Sequence, residues 1–501
     1  MISPGRILTP MLFLSLLAVP LLFGCAFEEP GSPGSEESGG QPATEASGPF
    51  DLVILGGRVM DPETGFDQVA NVGINDDEIV VITTDAIDGD GVIDAADHIV
   101  APGFIDLLSS IRRERKAHED KAADGVTTAI GLHGGPLDVA GYVAAQEAVG
   151  PVVNFAATVD HRVCREAAGI TDRYAAATPE QIPVMKECAR EAIRAGAAGV
   201  GFGLNYSPGA SYEETFAMFE VAGEFGVMAA PHARYKGNVF PLTMSLATME
   251  VLSMAAATGA SLQMIHLISS TVGSAPLSIA LIEGAQARGV DVAFDFHVWT
   301  RNQTSLQSAL YDDGWQPRFG GADYSDIYVA ATQEQLTKER FYELRAQPGA
   351  LSVQTEFIPE EEIVMGIRSP LGIISSDGGG LVDGTGHPRS VGTFARFLGR
   401  YVRDQQVVSW MEGIRKITLL PAQRLEKAMP LMAGKGRLQV GMDADITIFD
   451  PETVQERATY AEPDQRSAGI PYVIVNGVVV IDSGEAVADA APGRWLGQPR
   501  G

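Results

Sequence analysis

Six of the eight histidines in this chain of 501 residues stand at or just beyond the ends of short apolar runs. His133 follows Val126–Leu132, His161 follows Val152–Val159, and His232 follows Val227–Pro231. His266 follows Ser261–Ile265, and His297 follows Val290–Phe296. His387 lies a short way past Asp377, which follows Leu371–Ser376. Chance placement would scatter these residues. Three neutral imidazoles meeting in one cavity make a zinc-type ligand set with a fourth position left for water. A metal so held lowers the water's pKa to roughly 7 and polarises a bound carbonyl. A carboxylate beside it can carry the proton to a leaving amine, and Asp377 has that chemistry. Taken singly, a histidine at a strand end is more often a hydrogen-bonded structural group. The joint pattern reverses this for His232 and His266. His161 and His297 are read as structural or substrate-contacting, and His98 and His118 as surface residues.

Eight apolar runs carry these residues: the six named, an earlier one at Ile99–Leu108, and Gly199–Leu204, which ends at Asn205. Helical patterns lie between several of them. Ser211 and Glu214 have the spacing of a capping box that opens Tyr212–Phe225, stopped by Gly226. Pro179–Ala195 and Ser274–Arg288 also end at glycines. Strands alternating with helices imply parallel pairing, and eight of them predict an α/β fold built on a (β/α)8 TIM-like barrel over residues 102–435. In that fold the site lies at the C-terminal strand ends, where the histidines fall. Both chain ends differ from this middle. "DLVILGGRVM" and "VANVGINDDEIVVIT" near the start, with "GRLQVGMDADITIFD" and "IPYVIVNGVVVIDSGE" near the close, read as short strands and turns. Residues 51–101 and 436–501 are therefore expected to form one small β-sandwich domain. Residues 301–370 make a long excursion before the last barrel strand, of the kind that often covers a site.

Composition sets the context. Lys and Arg number 36 against 64 Asp and Glu, a formal charge of −28, which argues against a nucleic-acid partner. Arg6 precedes an apolar stretch from Ile7 to Gly24, too short and too rich in proline for a membrane span. Its Leu22-Phe23-Gly24-Cys25 ending resembles the lipobox of bacterial lipoproteins, which implies a signal peptide over residues 1–25 with Cys25 as the lipidated residue; cleavage by an ordinary signal peptidase is the alternative, since Phe23 is unusual at its position. Residues 26–50 are rich in Gly, Ser, Pro and Glu and read as a flexible linker. The expected location is the cell envelope, facing the periplasm or exterior, with the membrane engaged only through the lipid. Cys164 and Cys188 are the other two cysteines, either paired in an oxidising compartment or, the favoured reading, two small buried thiols.

From residue 51 onward the chain resembles the amidohydrolase superfamily, and within it the N-acyl-D-amino-acid deacylases. The resemblance is carried by "APGFID", "GVTTAI", "GAAGVGFGLNYSPGASYEE", "PHARYKG", "QMIHLIS", "SSDG", "HPRSVGTFARFLGRYVRD" and "ADITIFDPETV". It implies that His232 and His266 are metal ligands and Asp377 the catalytic acid/base. It also places His133 where the family has a Cys or Glu ligand, and imidazole serves zinc equally well. The family's first-strand His-x-His falls on Leu108 and Ser110 and is absent. One zinc ion is thus expected rather than two. "DFHVWT" stands where the family has Asp-x-Tyr-Pro-Tyr-Thr, so His297 and Trp299 replace tyrosines that face the substrate.

The expected substrate is an N-acyl-D-amino acid or a related small amide, and the carboxylate of an N-acyl-D-amino acid needs a cation. Arg389 is the first candidate and Arg234 the second, with a structural ion pair as the alternative for either. Tyr206 is expected to hydrogen-bond the carbonyl oxygen or to pack under its loop. The expected function is amide hydrolysis through a metal-activated water. The alternative, which the missing His-x-His favours, is a catalytically silent protein of the same fold that binds a ligand or partner.

Overall fold

The computed structural model describes residues 48–500. The expected signal peptide, Cys25 and the expected linker up to residue 47 lie outside the described residues. Nine strands form one hydrogen-bonded sheet drawn from both ends of the chain. Five come from Phe50–Pro102 and four from Ile446–Ala486. The seam is the antiparallel pairing of Ile99–Pro102 with Ile446–Phe449. Leu52, Ile54, Val72, Ile446 and Ile474 share one buried apolar cluster, which is what ties the two ends together. Asn476 and Gly477 both adopt positive φ between strands Tyr472–Val475 and Val478–Asp482, as a two-residue hairpin turn requires.

The middle of the chain supplies eight strand positions. They are β1 (Phe104–Asp106), β2 (Val126–Gly131), β3 (Asn154–Ala157, resumed at Val159–Asp160) and β4 (Gly199–Gly203). They continue with β5 (Met228–His232), β6 (Ser261–Met264), β7 (Val292–Phe296) and β8 (Gly372–Ile374). All neighbours pair in parallel, β1 to β2 to the first part of β3, and the second part of β3 through to β8. A parallel bridge between Ser109 and Gly378 brings the chain after β1 beside the chain after β8. These strands are buried almost throughout, which is why they read as unbroken apolar runs rather than as alternation. The run Ile99–Leu108 turns out to serve two sheets. Ile99–Pro102 joins the nine-stranded sheet, Gly103 intervenes, and β1 begins at Phe104. A Cβ on Gly103 would lie 2.2 Å from Thr127 Oγ1, so only glycine lets the strands cross this closely.

Residues 301–356 contain a small sheet of their own, Arg301–Ser305, Ile327–Val329 and Ser352–Glu356. Its apolar cluster includes Leu306, Tyr311, Trp315, Phe319 and Phe341, so the excursion is a packed unit and not a loose loop.

Three sequence expectations change here. Ser211 does cap the helix Tyr212–Phe225, accepting from the Glu214 N–H at 3.2 Å. The reciprocal half of the box is missing, because the Glu214 carboxylate turns inward. It pairs with Arg165, accepts from the Ala177 N–H at 2.8 Å and lies 3.4 Å from His161 Nε2. His118 is buried, not on the surface, since its helix (Arg115–Ala122) turns it against Gln146 Oε1 at 3.1 Å and edge-on to Phe155. Cys164 and Cys188 form a disulfide across a Cα–Cα distance of 5.6 Å, joining helix His161–Ala167 to helix Ile182–Arg194.

The Glu214 cluster carries a stability prediction. Burial alone would raise this carboxyl, but His161, the Ala177 N–H and the Ser211 contact together hold it down at about 2. A depressed acid contributes stability above its ordinary value of 4.5, and that stability is lost as pH falls toward 2. Glu214→Gln leaves Arg165 buried without its carboxylate and is expected to cost about 3–5 kcal/mol. Thermal unfolding across this acid window checks it. The wild type should lose stability as the pH falls, while the variant starts lower and changes less.

Candidate metal centre and catalytic cleft

The ligand atoms of His133, His232 and His266 all lie within 4.8 Å of one another. Each histidine comes from a different element. His133 follows β2 by two residues, His232 is the last residue of β5, and His266 lies two residues past β6. Their rings are 5.7 Å (His133–His232), 5.8 Å (His133–His266) and 4.3 Å (His232–His266) apart between centroids. Both ring nitrogens of His232 and Nδ1 of His266 are buried with no hydrogen-bond partner among the described residues. Burying such groups unpaired is costly, so a set of them aimed at one point fits a bound metal. Burial, then His266 and His133, push the His232 imidazole well below its usual range. Burial and His133 do the same to His266, so both are neutral and have lone pairs to give.

His266 has φ of 33°, a left-handed conformation that is unusual for a residue with a side chain. Asp295 on β7 holds it there, accepting the His266 N–H at 2.9 Å and the Gln263 amide at 2.9 Å. Burial raises the Asp295 carboxyl to about 7. Asp295 opens the "DFHVWT" stretch, but sequence reading gave it no role, because attention fell on His297 and Trp299 in the same stretch.

Asp377 also sits at positive φ, 51°, just past β8. Its Oδ2 lies 2.8 Å from Arg389 Nη1. Burial pushes its carboxyl above the ordinary carboxylate value, against the opposing pull of Arg389, His133, Lys121 and Lys236. The turn around it is tied down from below. Lys121 Nζ donates to Asp106 Oδ2 at 2.9 Å and Ser376 Oγ at 2.7 Å, and the Ser376 N–H donates to Asp106 Oδ1 at 2.9 Å. The Gly378 N–H closes the net on Ser376 Oγ at 3.0 Å. Asp377, Arg389 and His133 line a cleft of about 370 Å³ together with Leu108, Ser110 and Thr304.

The other expected substrate contacts divide. Arg389 faces the cleft, with Nε unpartnered and buried. His297 accepts the Trp299 N–H on Nδ1 at 3.3 Å, which puts its own proton on Nε2, and Nε2 is buried and unpartnered. Tyr206 packs against the His232 ring at 4.9 Å, and its hydroxyl accepts from Thr304 Oγ1 at 3.2 Å. Arg234 is committed to structure. It pairs with Glu250 at 3.1 Å, donates to the Ala210 carbonyl at 2.5 Å and stacks on Tyr212. His387 accepts the Arg389 N–H on Nδ1 at 3.0 Å and so helps to place that arginine.

A family model described as the amidohydrolase family matches residues 371–481. N-acyl-D-glutamate deacylase of Alcaligenes xylosoxydans xylosoxydans is 32% identical over 490 residues, covering 89% of this chain and 96% of that protein. Among solved structures, N-acyl-D-glutamate deacylase from Bordetella bronchiseptica, complexed with zinc and a phosphonate mimic of the tetrahedral intermediate, superposes with a TM-score of 0.79. It is 27% identical and covers 90% of this chain and 100% of that one. A D-aminoacylase with a binuclear metal centre, for which one-metal activation and second-metal attenuation are described, gives 0.76 at 26% identity, covering 90% and 100%.

Proposed function

The chain belongs to the D-aminoacylase-like amidohydrolases, and we propose that it hydrolyses the amide of N-acyl-D-amino acids with one zinc ion held by His133, His232 and His266. The convergence of three neutral imidazoles on one point, beside a cleft carrying Asp377 and Arg389, carries this reading. When bound, the metal supplies a water of lowered pKa and a polarised amide carbonyl. Asp377 takes the proton of the attacking water as the new C–O bond forms. It returns that proton to the amide nitrogen as the C–N bond breaks, so the amine leaves neutral. A carboxyl raised above its ordinary range suits both halves of this task. Arg389 orients the carboxylate of Asp377 and keeps a donor free toward the substrate, and His297 Nε2–H is a second donor held in place.

A second metal does not fit. Leu108 is apolar and buried, Ser110 is a poor ligand, and the Lys121 ammonium already pairs with Asp106 nearby. The silent alternative is not favoured, since the hydrolytic set is complete without the first-strand pair. We read β1 to β8 as one eight-stranded barrel, closed where Ser109 meets Gly378, and the nine-stranded sheet as the sandwich domain. We also propose an envelope location through lipidated Cys25, which the Cys164–Cys188 disulfide supports because such bonds persist in oxidising compartments.

The test is a panel of N-acyl-D- and N-acyl-L-amino acids assayed with the zinc-loaded chain, together with metal analysis. Hydrolysis of the D series and about one zinc per chain are expected. A chain that takes up no zinc, or that cleaves none of the panel, defeats the reading.

A further inference from the structure

Lys236 is a buried cation that the mechanism above does not use. It stands four residues past His232, in a segment whose sequence, "RYKGN", looks like an exposed loop. Its side chain is instead enclosed, with 3% of the residue exposed. Two features put it there. The loop after β5 is stitched to the turn after His266, where the Gly237 N–H donates to the Ser270 carbonyl at 2.8 Å and Lys236 Nζ donates to the Ser269 carbonyl. Phe319 and Phe357, from and just after the packed excursion, then cover the ammonium at 4.8 and 4.2 Å from their ring centroids. The charge therefore lies among the elements that carry His232 and His266, roofed by the excursion.

Among the described residues no carboxylate pairs with Lys236. The acid that acts on it is Asp377, and Asp377 is already matched by Arg389. One carbonyl and two ring faces do not repay the burial of an ammonium. Burial accordingly drags its pKa down to about 7. Its field reaches His232, His266, His297 and Asp377, so it belongs to the same electrostatic neighbourhood as the proposed chemistry. An isolated buried cation at that place has the character of an anion receptor awaiting its anion. His297 Nε2 and Arg389 Nε are unpartnered donors in that neighbourhood, and both want an acceptor.

We infer that Lys236 is a specificity-determining residue that binds a carboxylate of the N-acyl-amino acid, supplying the charge that Arg389 cannot give in full because it also holds Asp377. The inference rests on the amide hydrolysis proposed above. The carboxylate is either the α-carboxylate or that of an acidic side chain, and both have the chemistry that an ammonium recognises.

Lys236→Met keeps the stem and removes the charge. On the zinc-loaded enzyme it should raise KM by about 10- to 100-fold, the loss of one hydrogen bond to a charged group, with a much smaller change in kcat. Zinc content should not change, and the melting temperature should hold or rise, because an unpaired buried charge has been taken away. A KM loss on both N-acetyl-D-leucine and N-acetyl-D-glutamate assigns the α-carboxylate, while a loss on the glutamate alone assigns the side chain. An unchanged KM on both, or an equal loss on the neutral N-acetyl-D-amino acid amide, overturns the inference. Calorimetric binding of N-acetyl-D-glutamate to Asp377→Asn protein, with and without Lys236→Met, tests the lysine apart from turnover. Equal affinity, or no binding to either, overturns it even if the wild type is active. Tenfold weaker binding supports it even if hydrolysis of the panel fails.

Discussion

Asp377→Asn is expected to keep its zinc and lose turnover by about 10²- to 10⁴-fold, the range that a positioned acid/base contributes. The substitution is close to isosteric and leaves the net of Lys121, Asp106 and Ser376 in place, so the left-handed turn at Asp377 should survive. What goes is the only carboxylate, among the described residues, that lines the cleft beside His133 and Arg389. The wild type's activity should fall at acid pH along a limb lying above the ordinary carboxylate value of 3.8, since burial raises this group and the base must be ionised to accept a proton. That limb should be missing from the residual activity of the variant. Metal analysis and the pH profile of kcat/KM together check the result. A variant as active as the wild type would exclude Asp377 as the base.

His133→Ala is expected to do the opposite: lose the metal first and activity as a consequence. Two imidazoles remain, and a site stripped of a direct ligand should weaken by more than the about 10- to 100-fold that loss of an outer-shell partner costs. Zinc should dialyse out of the variant under conditions that leave it in the wild type. His133→Cys makes the useful contrast, because a thiolate is an equally good zinc ligand and should retain metal at the same position. Unchanged zinc in His133→Ala would remove that residue from the site and leave His232 and His266 to be completed by another group.

Much of the positioning was legible because it depends on local order. Apolar runs ending in His, His and Asp mark where strands stop, and strands stop at the face where a parallel α/β fold gathers its functional groups. The Asn476–Gly477 turn and the Ser211 cap depend only on a few adjacent residues. The failures share a cause as well. Glu214 has capping-box spacing, yet Arg165 lies 49 residues away in sequence and draws the carboxylate inward. His118 belongs to a polar helix, and Gln146, from a different helix, accounts for its burial. Cysteine spacing says nothing of how two helices pack, so Cys164 and Cys188 could not be paired until their Cα atoms were placed 5.6 Å apart.

The sequence by itself determined the chemical inventory: which residue types end the strands, that Leu108 and Ser110 stand where a His-x-His pair would, and that His133, His232, His266 and Asp377 follow later apolar runs. The tertiary structure decided which charges were already spent. Arg234 is consumed by Glu250, Arg389 is shared with Asp377, and Lys236 has no carboxylate partner among the described residues beneath Phe319 and Phe357. The reason is physical. A side chain's type is local, but its partner and its dielectric surroundings are set by elements that meet only when the chain has folded.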